Sequence, residues 1–123
     1  MTNDINADVC VLGAGSAGLV VAASAAFFGV KVVLLEKDLM GGDCLNYGCI
    51  PSKALIYTGK LKANMRALNK IGIELDIPET NFNLVKSYID KVIKTIEPND
   101  SIERFEGMGV TVLKGEAKFI NKT

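Results

Sequence analysis

Six residues near the start of the chain, Gly13-Ala-Gly-Ser-Ala-Gly18, constrain the fold more than any other feature of the sequence. They follow an apolar run, Ala7–Leu12, whose β-branched valines predict a buried parallel strand. They open a stretch rich in small residues, Ser16–Phe28, which predicts a helix that ends at Gly29. A second apolar run, Lys31–Leu35, predicts the next strand. The sequence therefore predicts a β-α-β unit.

The three glycines of this turn have the spacing of a dinucleotide-binding loop. Gly13 permits a tight turn, Gly15 lets the backbone approach a pyrophosphate, and Gly18 lets the helix pack close to the strand. The helix N-terminus offers free N–H groups and a positive dipole end to phosphates. Glu36, at the end of the second strand, is placed to accept hydrogen bonds from ribose hydroxyls. The alternative is a glycine-rich turn in an ordinary α/β domain, with Glu36 merely solvated.

The rest of the chain adds helices and at least one more strand. We expect a parallel sheet with strands near 7–12, 31–35 and 110–114, the first two adjacent. The other predicted elements are a loose terminus over residues 1–7, a loop over Lys37–Gly41, a helix over Ser52–Ile71, an irregular segment over Gly72–Phe82, a helix capped by Asn83 and running to about Glu97 with a core stripe of Val85, Tyr88, Val92 and Ile96, a break at Pro98, a short helix capped within Asp100–Glu103 and ending near Gly107, a strand over Val110–Leu113, and the start of a fourth strand over Ala117–Ile120.

Charge and residue content exclude several functional classes. Fourteen basic and fourteen acidic residues give zero formal charge, so no electrostatic footprint indicates nucleic acid or an anionic membrane. The chain has no histidine, which removes the commonest general base and the commonest metal ligand. Three cysteines are too few for a structural disulfide framework, and an odd number of cysteines cannot all be paired within the chain.

One uncharged stretch, Val9–Val30, is long enough to span a bilayer, and its alanine-rich end is similar to a signal-peptide cleavage region. The residues before it carry Asp4 and Asp8 but no Lys or Arg, which is wrong for a signal peptide. Glycines also crowd the stretch, and a strand followed by a helix fits it better. We therefore expect a cytoplasmic protein without membrane contact, in a reducing compartment where a cysteine pair is more often redox-active than structural.

A second segment, Gly42–Lys53 (GDCLNYGCIPSK), holds Cys44 and Cys49 at C-x4-C spacing. A disulfide across so small a loop would add little stability through loop entropy. The pair lies at the entrance of a predicted helix, where the dipole favours a thiolate, and Lys53 adds positive charge one turn on. On spacing alone, two unpaired buried cysteines are an equal alternative. Zinc is disfavoured because structural zinc sites usually take four ligands, so no metal site is predicted. Cys10, inside the first strand, is expected to be a small buried hydrophobe.

Several stretches together closely resemble one family. GGDCLNYGCIPSKAL is similar to the redox-disulfide segment of the pyridine nucleotide–disulfide oxidoreductases, which include dihydrolipoamide dehydrogenase, glutathione reductase and mercuric reductase. LGAGSAG and LLEK resemble the FAD-binding start of that family, and GVTVLKGEAKF also resembles it. EPNDSIERFEGMGV, with Asp43 before Cys44, is most similar to the mercuric reductase-like branch. The resemblance covers the whole chain, and it implies a Rossmann-type three-layer α/β FAD-binding domain with a parallel sheet.

The resemblance also implies a role for each motif residue. Cys49 is the implied flavin-side thiol that receives electrons, and Cys44 is the outer thiol that exchanges with the substrate. Electrons are implied to run from NAD(P)H to FAD, then to a Cys44–Cys49 disulfide and on to a disulfide or an Hg(II)-type acceptor. The residues implied to contact FAD are Gly13, Gly15, Ser16, Gly18, Glu36 on the adenosine ribose, Lys37, Gly42, Asp43, Lys53 near the reactive edge of the flavin, and Ala117 through its backbone.

By the same resemblance, residues 1–123 correspond to the N-terminal portion of an FAD-binding domain. Members of the family also have an NAD(P) domain and a dimerisation domain, and the latter supplies a histidine acid/base to the partner subunit. We therefore expect an N-terminal fragment with an incomplete domain, and a full-length homodimer. The remainder of the enzyme or a partner chain would supply the NAD(P) domain and the catalytic histidine, and the 123 residues alone would have negligible reductase activity. The alternative is a non-catalytic remnant or interaction module that retains the fold.

Overall fold

The computed structural model describes residues 4–121 and is built on one parallel β-sheet. In chain order its elements are β1 (Val9–Leu12), α1 (Ser16–Phe27), β2 (Val32–Glu36), α2 (Gly42–Asn46), α3 (Cys49–Lys70), α4 (Phe82–Ile96), a 3-10 turn (Glu97–Asp100), α5 (Ile102–Gly107) and β3 (Thr111–Lys114). The sheet order is β1-β2-β3, with Val9 opposite Val32 and Leu34 opposite Val112. The predicted α/β class, the parallel sheet and the adjacency of the first two strands are confirmed.

One face of the sheet carries the hydrophobic core. Val11 and Leu34 lie on this face and pack with Leu19 of α1 and Phe105 of α5, all of them buried. Each such side chain contributes roughly 1.5–3 kcal/mol when it is fully buried. Ala22, fully buried on α1, has a side chain small enough to let the helix lie close to the strands. This packing fixes α1, and therefore the glycine turn at its start, relative to the end of β2.

Cys10 is exposed, so its predicted burial is wrong. Successive side chains of a strand point to opposite faces of the sheet. Val9 and Val11 face the core, whereas Cys10 and Leu12 point to the other face, where Leu12 is half exposed. β1 is also at the edge of the described sheet, which leaves it less covered than the central strand β2.

The long helix α3 starts at Cys49, three residues before its predicted start. Pro51 is tolerated there because the first turn of a helix leaves its N–H groups unpaired in any case. The short helix α2, which carries Cys44, was not predicted. Together α2 and α3 place one cysteine in each of two consecutive helices, with Gly48 between them.

The helix α4 is capped by Asn81 rather than by the predicted Asn83. The Asn81 side-chain oxygen accepts from the backbone N–H of Asn83 at 3.1 Å and from that of Leu84 at 3.4 Å. The apolar stripe of α4 was predicted to be core, but no residue of this helix is fully buried. α4 packs mainly along α3 rather than on the sheet, so its apolar stripe is partly covered.

The end of the chain also departs from the prediction. The break at Pro98 is confirmed by the 3-10 turn, and Ser101 caps α5 by accepting from the Arg104 N–H at 3.3 Å. Residues 117–120 are irregular, so the predicted fourth strand is wrong. Of the predicted loose terminus, residues 4–7 are irregular and exposed, and residues 1–3 lie outside the described residues. None of the helices within residues 4–121 has the length and apolar character that a membrane crossing requires.

Candidate functional site

The glycine turn between β1 and α1 has the local geometry that its spacing predicts. Gly13 has φ +96°, a conformation that favours glycine, and its N–H donates to the Leu35 carbonyl at 2.8 Å. A Cβ on Gly18 would overlap the Gly13 carbonyl oxygen, so α1 lies closer to the turn than a side chain would permit. A Cβ on Gly15 would meet no atom within 4 Å, which leaves open space beside the first turn of α1. Among the described residues no side chain caps α1, so its first N–H groups can bind an anion.

Glu36 is buried, with 9% of its surface exposed, and it braces the turn. Its Oε2 accepts from the Ala14 N–H at 2.6 Å, and its Oε1 accepts from the Asp38 N–H at 2.7 Å. Hydrogen bonds to an ionised carboxylate are about twice as strong as neutral ones. The alternative in which Glu36 is merely solvated is therefore wrong. Each oxygen still has a free lone pair, so both can also accept from a hydroxyl.

An open cavity of about 480 Å³ lies at the carboxyl ends of the three strands. Open parallel sheets bind their ligands at this edge. Six of the residues predicted to contact a cofactor line the cavity: Gly13, Glu36, Lys37, Gly42, Asp43 and Ala117. The other four, Gly15, Ser16, Gly18 and Lys53, lie outside its lining.

The cavity also contains side chains that the sequence did not single out. Asp38, Tyr47 and Glu116 line it, and each is close in sequence to a residue that was predicted. The lining is acidic, since Lys37 is the one basic residue among the lining residues while four of them are carboxylic acids. A neutral group rich in hydroxyls suits this cavity better than an anion does. An anion is better placed at the α1 N-terminus, where the first turn has no acidic residue.

The cysteine segment is held directly against the glycine turn. The Gly41 N–H donates to the Ala14 carbonyl at 2.9 Å. Gly42 has φ +56°, and a Cβ on it would lie 2.7 Å from the Gly15 Cα, so the two backbones are in close contact. The Asn46 Nδ2, which the sequence did not single out, donates to the Met40 carbonyl at 3.0 Å and to the Gly42 carbonyl at 2.9 Å. These bonds fix the start of α2, and with it Cys44, over the start of α1.

The two cysteine side chains meet at the junction of α2 and α3. Cys44 is half-buried and Cys49 is exposed, and both are free thiols in this structure. The Cys49 side chain is close enough to Cys44 to affect its pKa. Cys49 is the first residue of α3, as the predicted helix entrance requires, and Lys53 lies one turn on and is exposed.

The pKa of Cys44 is raised above that of an ordinary thiol. The largest cause is the hydrogen bond with the Cys49 side chain, followed by burial and by the charge of Cys49. The Cys49 backbone N–H and the Ser16 hydroxyl act in the opposite direction, because both stabilise a thiolate. The expectation that the helix entrance gives a readily formed thiolate is therefore wrong for Cys44. The neighbouring Cys49 thiol and burial together outweigh the two groups that lower the pKa of Cys44.

Comparison with known proteins identifies the same family as the sequence motifs do. Residues 7–123 match the model of the family Pyridine nucleotide-disulphide oxidoreductase. The chain is 37% identical to a dihydrolipoyl dehydrogenase of Vibrio parahaemolyticus over 97% of its own length and 25% of the relative's. It is 38% identical to a dihydrolipoyl dehydrogenase of Bacillus subtilis over 95% of its length and 25% of the relative's.

A solved structure is also similar to this chain. It is the Cu(II) complex of the HOCl-induced flavoprotein disulfide reductase RclA from Escherichia coli, with a TM-score of 0.72 and 26% sequence identity. The similarity covers 93% of this chain and 23% of that one. The chain therefore spans about a quarter of the length of the relatives it matches.

Proposed function

This chain belongs to the pyridine nucleotide-disulphide oxidoreductase family, and from that premise we propose that it is the FAD-binding, disulfide-carrying part of a flavoprotein disulfide reductase. One observation carries the proposal. Cys44 and Cys49 lie on either side of the junction between α2 and α3, and the segment that holds them packs against a glycine turn with dinucleotide-binding geometry. In this family the conjunction of a cysteine pair with such a turn serves electron transfer rather than structure.

The described residues fit FAD. The pyrophosphate fits the open space beside Gly15, against the free N–H groups of Ser16 and the rest of the first turn of α1. The adenosine ribose fits the acidic cavity, where the free lone pairs of Glu36 can accept from its hydroxyls. The residues we assign to FAD are those predicted above: Gly13, Gly15, Ser16, Gly18, Glu36, Lys37, Gly42, Asp43, Lys53 and Ala117. When bound, FAD supplies the transfer of two electrons between NAD(P)H and a disulfide.

The cysteines would then carry out ordinary thiol–disulfide exchange. Reduction of a Cys44–Cys49 disulfide takes two electrons and two protons and gives two thiols. The Cys44 thiolate attacks one sulfur of an acceptor disulfide and releases the other sulfur as a thiolate. The Cys49 thiolate then attacks the Cys44 sulfur of the mixed disulfide, which releases the second acceptor thiolate and re-forms the Cys44–Cys49 bond. An Hg(II) ion is a second acceptor class, because soft thiolate ligands bind soft metal ions.

The raised pKa of Cys44 adds a requirement. A thiol that resists ionisation needs a base to start the exchange, and the chain has no histidine. We therefore propose that the base is a histidine from the remainder of the enzyme or from a partner chain in a homodimer. The same remainder would carry the NAD(P) domain, and residues 1–123 would form the N-terminal portion of the FAD-binding domain, in a cytoplasmic enzyme.

Two measurements on the purified chain test the proposal. The first is a visible absorption spectrum after addition of FAD and removal of the excess, which should show a protein-bound flavin band. The second is mild oxidation with diamide followed by trypsin digestion and mass spectrometry. Cleavage after Lys37 and Lys53 gives one peptide with both Cys44 and Cys49, and this peptide should lose the mass of two hydrogen atoms.

The controls separate the proposal from a remnant or interaction module. A Cys49→Ser variant should lose the intrachain disulfide, whereas Cys10→Ser should keep it, because Cys10 is an exposed residue of β1 and lies on a different tryptic peptide. Absence of both the flavin band and the disulfide would contradict the proposal. In the full-length context Cys49→Ser should abolish reductase activity, and unchanged function there would favour the remnant.

A further inference from the structure

An exposed aromatic side chain, that of Tyr47, lines the acidic cavity at the carboxyl ends of the strands. The carboxylates of this cavity can accept from ribose hydroxyls, but they offer no surface to a planar ring. We propose that Tyr47 binds the cofactor by stacking on its adenine ring, and that it completes an adenosine site whose ribose-binding group is Glu36. This inference rests on the proposed FAD-binding function and adds to it a residue that the sequence did not single out.

The backbone of Tyr47 is held in place at the end of α2. Its N–H donates to the Asp43 carbonyl at 2.9 Å. A Cβ on the next residue, Gly48, would lie 2.9 Å from the same carbonyl oxygen, so the chain turns too tightly there for a side chain. Asp43 and Tyr47 are four residues apart and both line the cavity, whereas Leu45 between them is buried. These contacts therefore fix the position from which Tyr47 meets the cavity.

The Tyr47 side chain is available to a ligand. It leaves 66% of its surface exposed, and it is the one aromatic side chain among the described residues that line this cavity. Leu12 and Leu39 in the same lining are also about half exposed. The cavity volume of about 480 Å³ lies within the range of small-molecule sites. Exposed apolar surface beside carboxylates suits a ligand that has both a flat apolar face and hydroxyls, and a nucleoside has both.

FAD contains two planar ring systems, and the cavity distinguishes between them. Glu36 and Tyr47 line the same cavity, and the ribose that Glu36 would bind carries the adenine directly. Neither Cys44 nor Cys49 belongs to the lining, so a flavin that exchanges electrons with their sulfur atoms would lie outside it. Adenine is uncharged at neutral pH, so an acidic lining does not repel it. Every base has a π-face on which an aromatic side chain can stack.

Binding of cofactor fragments tests which ring Tyr47 contacts. ADP carries the adenine without the flavin, and FMN carries the flavin without the adenine. The dissociation constants of FAD, ADP and FMN are measured by isothermal titration calorimetry for the parent chain and for each variant. Tyr47→Ala removes the ring, and Tyr47→Phe keeps it without the hydroxyl. Tyr57→Ala is the matched control, because Tyr57 is also about half exposed but lies on α3 and not in the cavity lining.

We expect Tyr47→Ala to raise the dissociation constants of FAD and ADP about tenfold, since removal of the aromatic partner of a stacked base has an effect of this size. The affinity for FMN should not change. Tyr47→Phe and Tyr57→Ala should bind FAD and ADP as the parent does. An ADP affinity that is the same in Tyr47→Ala and Tyr57→Ala would overturn the inference, and so would an equal loss of affinity for FMN and FAD.

Tyrosine fluorescence gives a second measurement, at the ring itself. The chain has three tyrosines and no tryptophan, so a Tyr57→Phe, Tyr88→Phe variant emits from Tyr47 alone. Stacking on a base quenches tyrosine emission, so saturating ADP should quench this variant. A Tyr47→Phe, Tyr88→Phe variant emits from Tyr57 alone and corrects for the light that ADP itself absorbs. Bound ADP with equal quenching in the two variants would contradict the stacking.

The inference and the proposed function fail in different ways. If the parent chain binds FAD and Tyr47→Ala binds it equally well, the FAD-binding function stands and Tyr47 is not part of the site. If the parent chain binds neither FAD nor ADP, the FAD-binding function is contradicted for these residues, and the role of Tyr47 is contradicted with it.

Discussion

Replacement of Gly42 by alanine tests the contact that joins the cysteine segment to the glycine turn. The new Cβ would lie 2.7 Å from the Gly15 Cα and 3.3 Å from the Gly15 nitrogen. Carbon atoms at optimal separation are about 3.5–4.0 Å apart, so the two backbones would have to separate by about 1 Å. Overpacking of this kind costs roughly 1–3 kcal/mol. The separation would also strain the Gly41 hydrogen bond to Ala14, which contributes about 1 kcal/mol.

The backbone conformation adds a second cost. Gly42 has φ +56°, and a residue with a Cβ costs roughly 1–2 kcal/mol more than glycine in the left-handed region. Gly29 provides a matched control, since it has φ +76° but a Cβ there would meet no atom within 4 Å. Gly29→Ala should therefore lower the free energy of unfolding by the conformational cost alone, about 1 kcal/mol. Gly42→Ala should lower the free energy of unfolding by about 3 kcal/mol, the sum of the overpacking and the conformational cost.

A third variant checks that alanine itself is harmless. Gly59 lies in the interior of α3 with open space around it, so Gly59→Ala should stabilise the chain by roughly 0.5–1 kcal/mol. The assay is urea unfolding followed by circular dichroism, which gives the free energy of unfolding of each variant. If Gly42→Ala is no less stable than Gly29→Ala, the close contact between the two segments does not exist in solution. In that case the placement of Cys44 over the start of α1 fails with it.

Three further predictions concern single side chains. Glu36→Gln turns one acceptor oxygen into an N–H donor that faces a backbone N–H, so the free energy of unfolding in urea should fall by about 1–3 kcal/mol. An unchanged free energy of unfolding would mean that the hydrogen bonds of Glu36 do not stabilise the turn. Asn81→Ala should cost about 1 kcal/mol of unfolding free energy whereas Asn83→Ala should cost little, and the reverse order would restore Asn83 as the cap of α4. Cys49→Ala removes the main cause that raises the pKa of Cys44, so Cys44 should be alkylated by iodoacetamide at lower pH than in the parent; a midpoint at the same or higher pH would contradict that cause.

Local patterns explain the parts of the fold that the sequence predicted correctly. The first β-α-β unit is correct because apolar runs, a glycine turn and a small-residue helix are all encoded within neighbouring residues. The stripe of α4 and the side chain of Cys10 were wrong because burial depends on which other element covers a face. α4 packs mainly along α3 rather than on the sheet, and Cys10 lies on the face of β1 opposite the main core.

The candidate site likewise has features that the sequence predicted and features that it did not. The family resemblance of their segment, rather than the spacing of Cys44 and Cys49, singled out the pair, and Cys49 is at a helix entrance as expected. The raised pKa of Cys44 was not predictable, because it depends on the relative orientation of two side chains in consecutive helices. Tyr47 and Asn46 were missed as site residues since nothing in their spacing distinguishes them from other loop residues.

The sequence by itself determined the family and the parallel β-α-β start, because both depend on short spacings that act through adjacent backbone. The tertiary structure alone decided that Gly42 packs against Gly15 and that Glu36 braces the turn. These contacts join segments separated by many residues, and they form when β2 packs beside β1 and returns the chain to the glycine turn. Side-chain packing between distant segments fixes them, and no local sequence pattern records it.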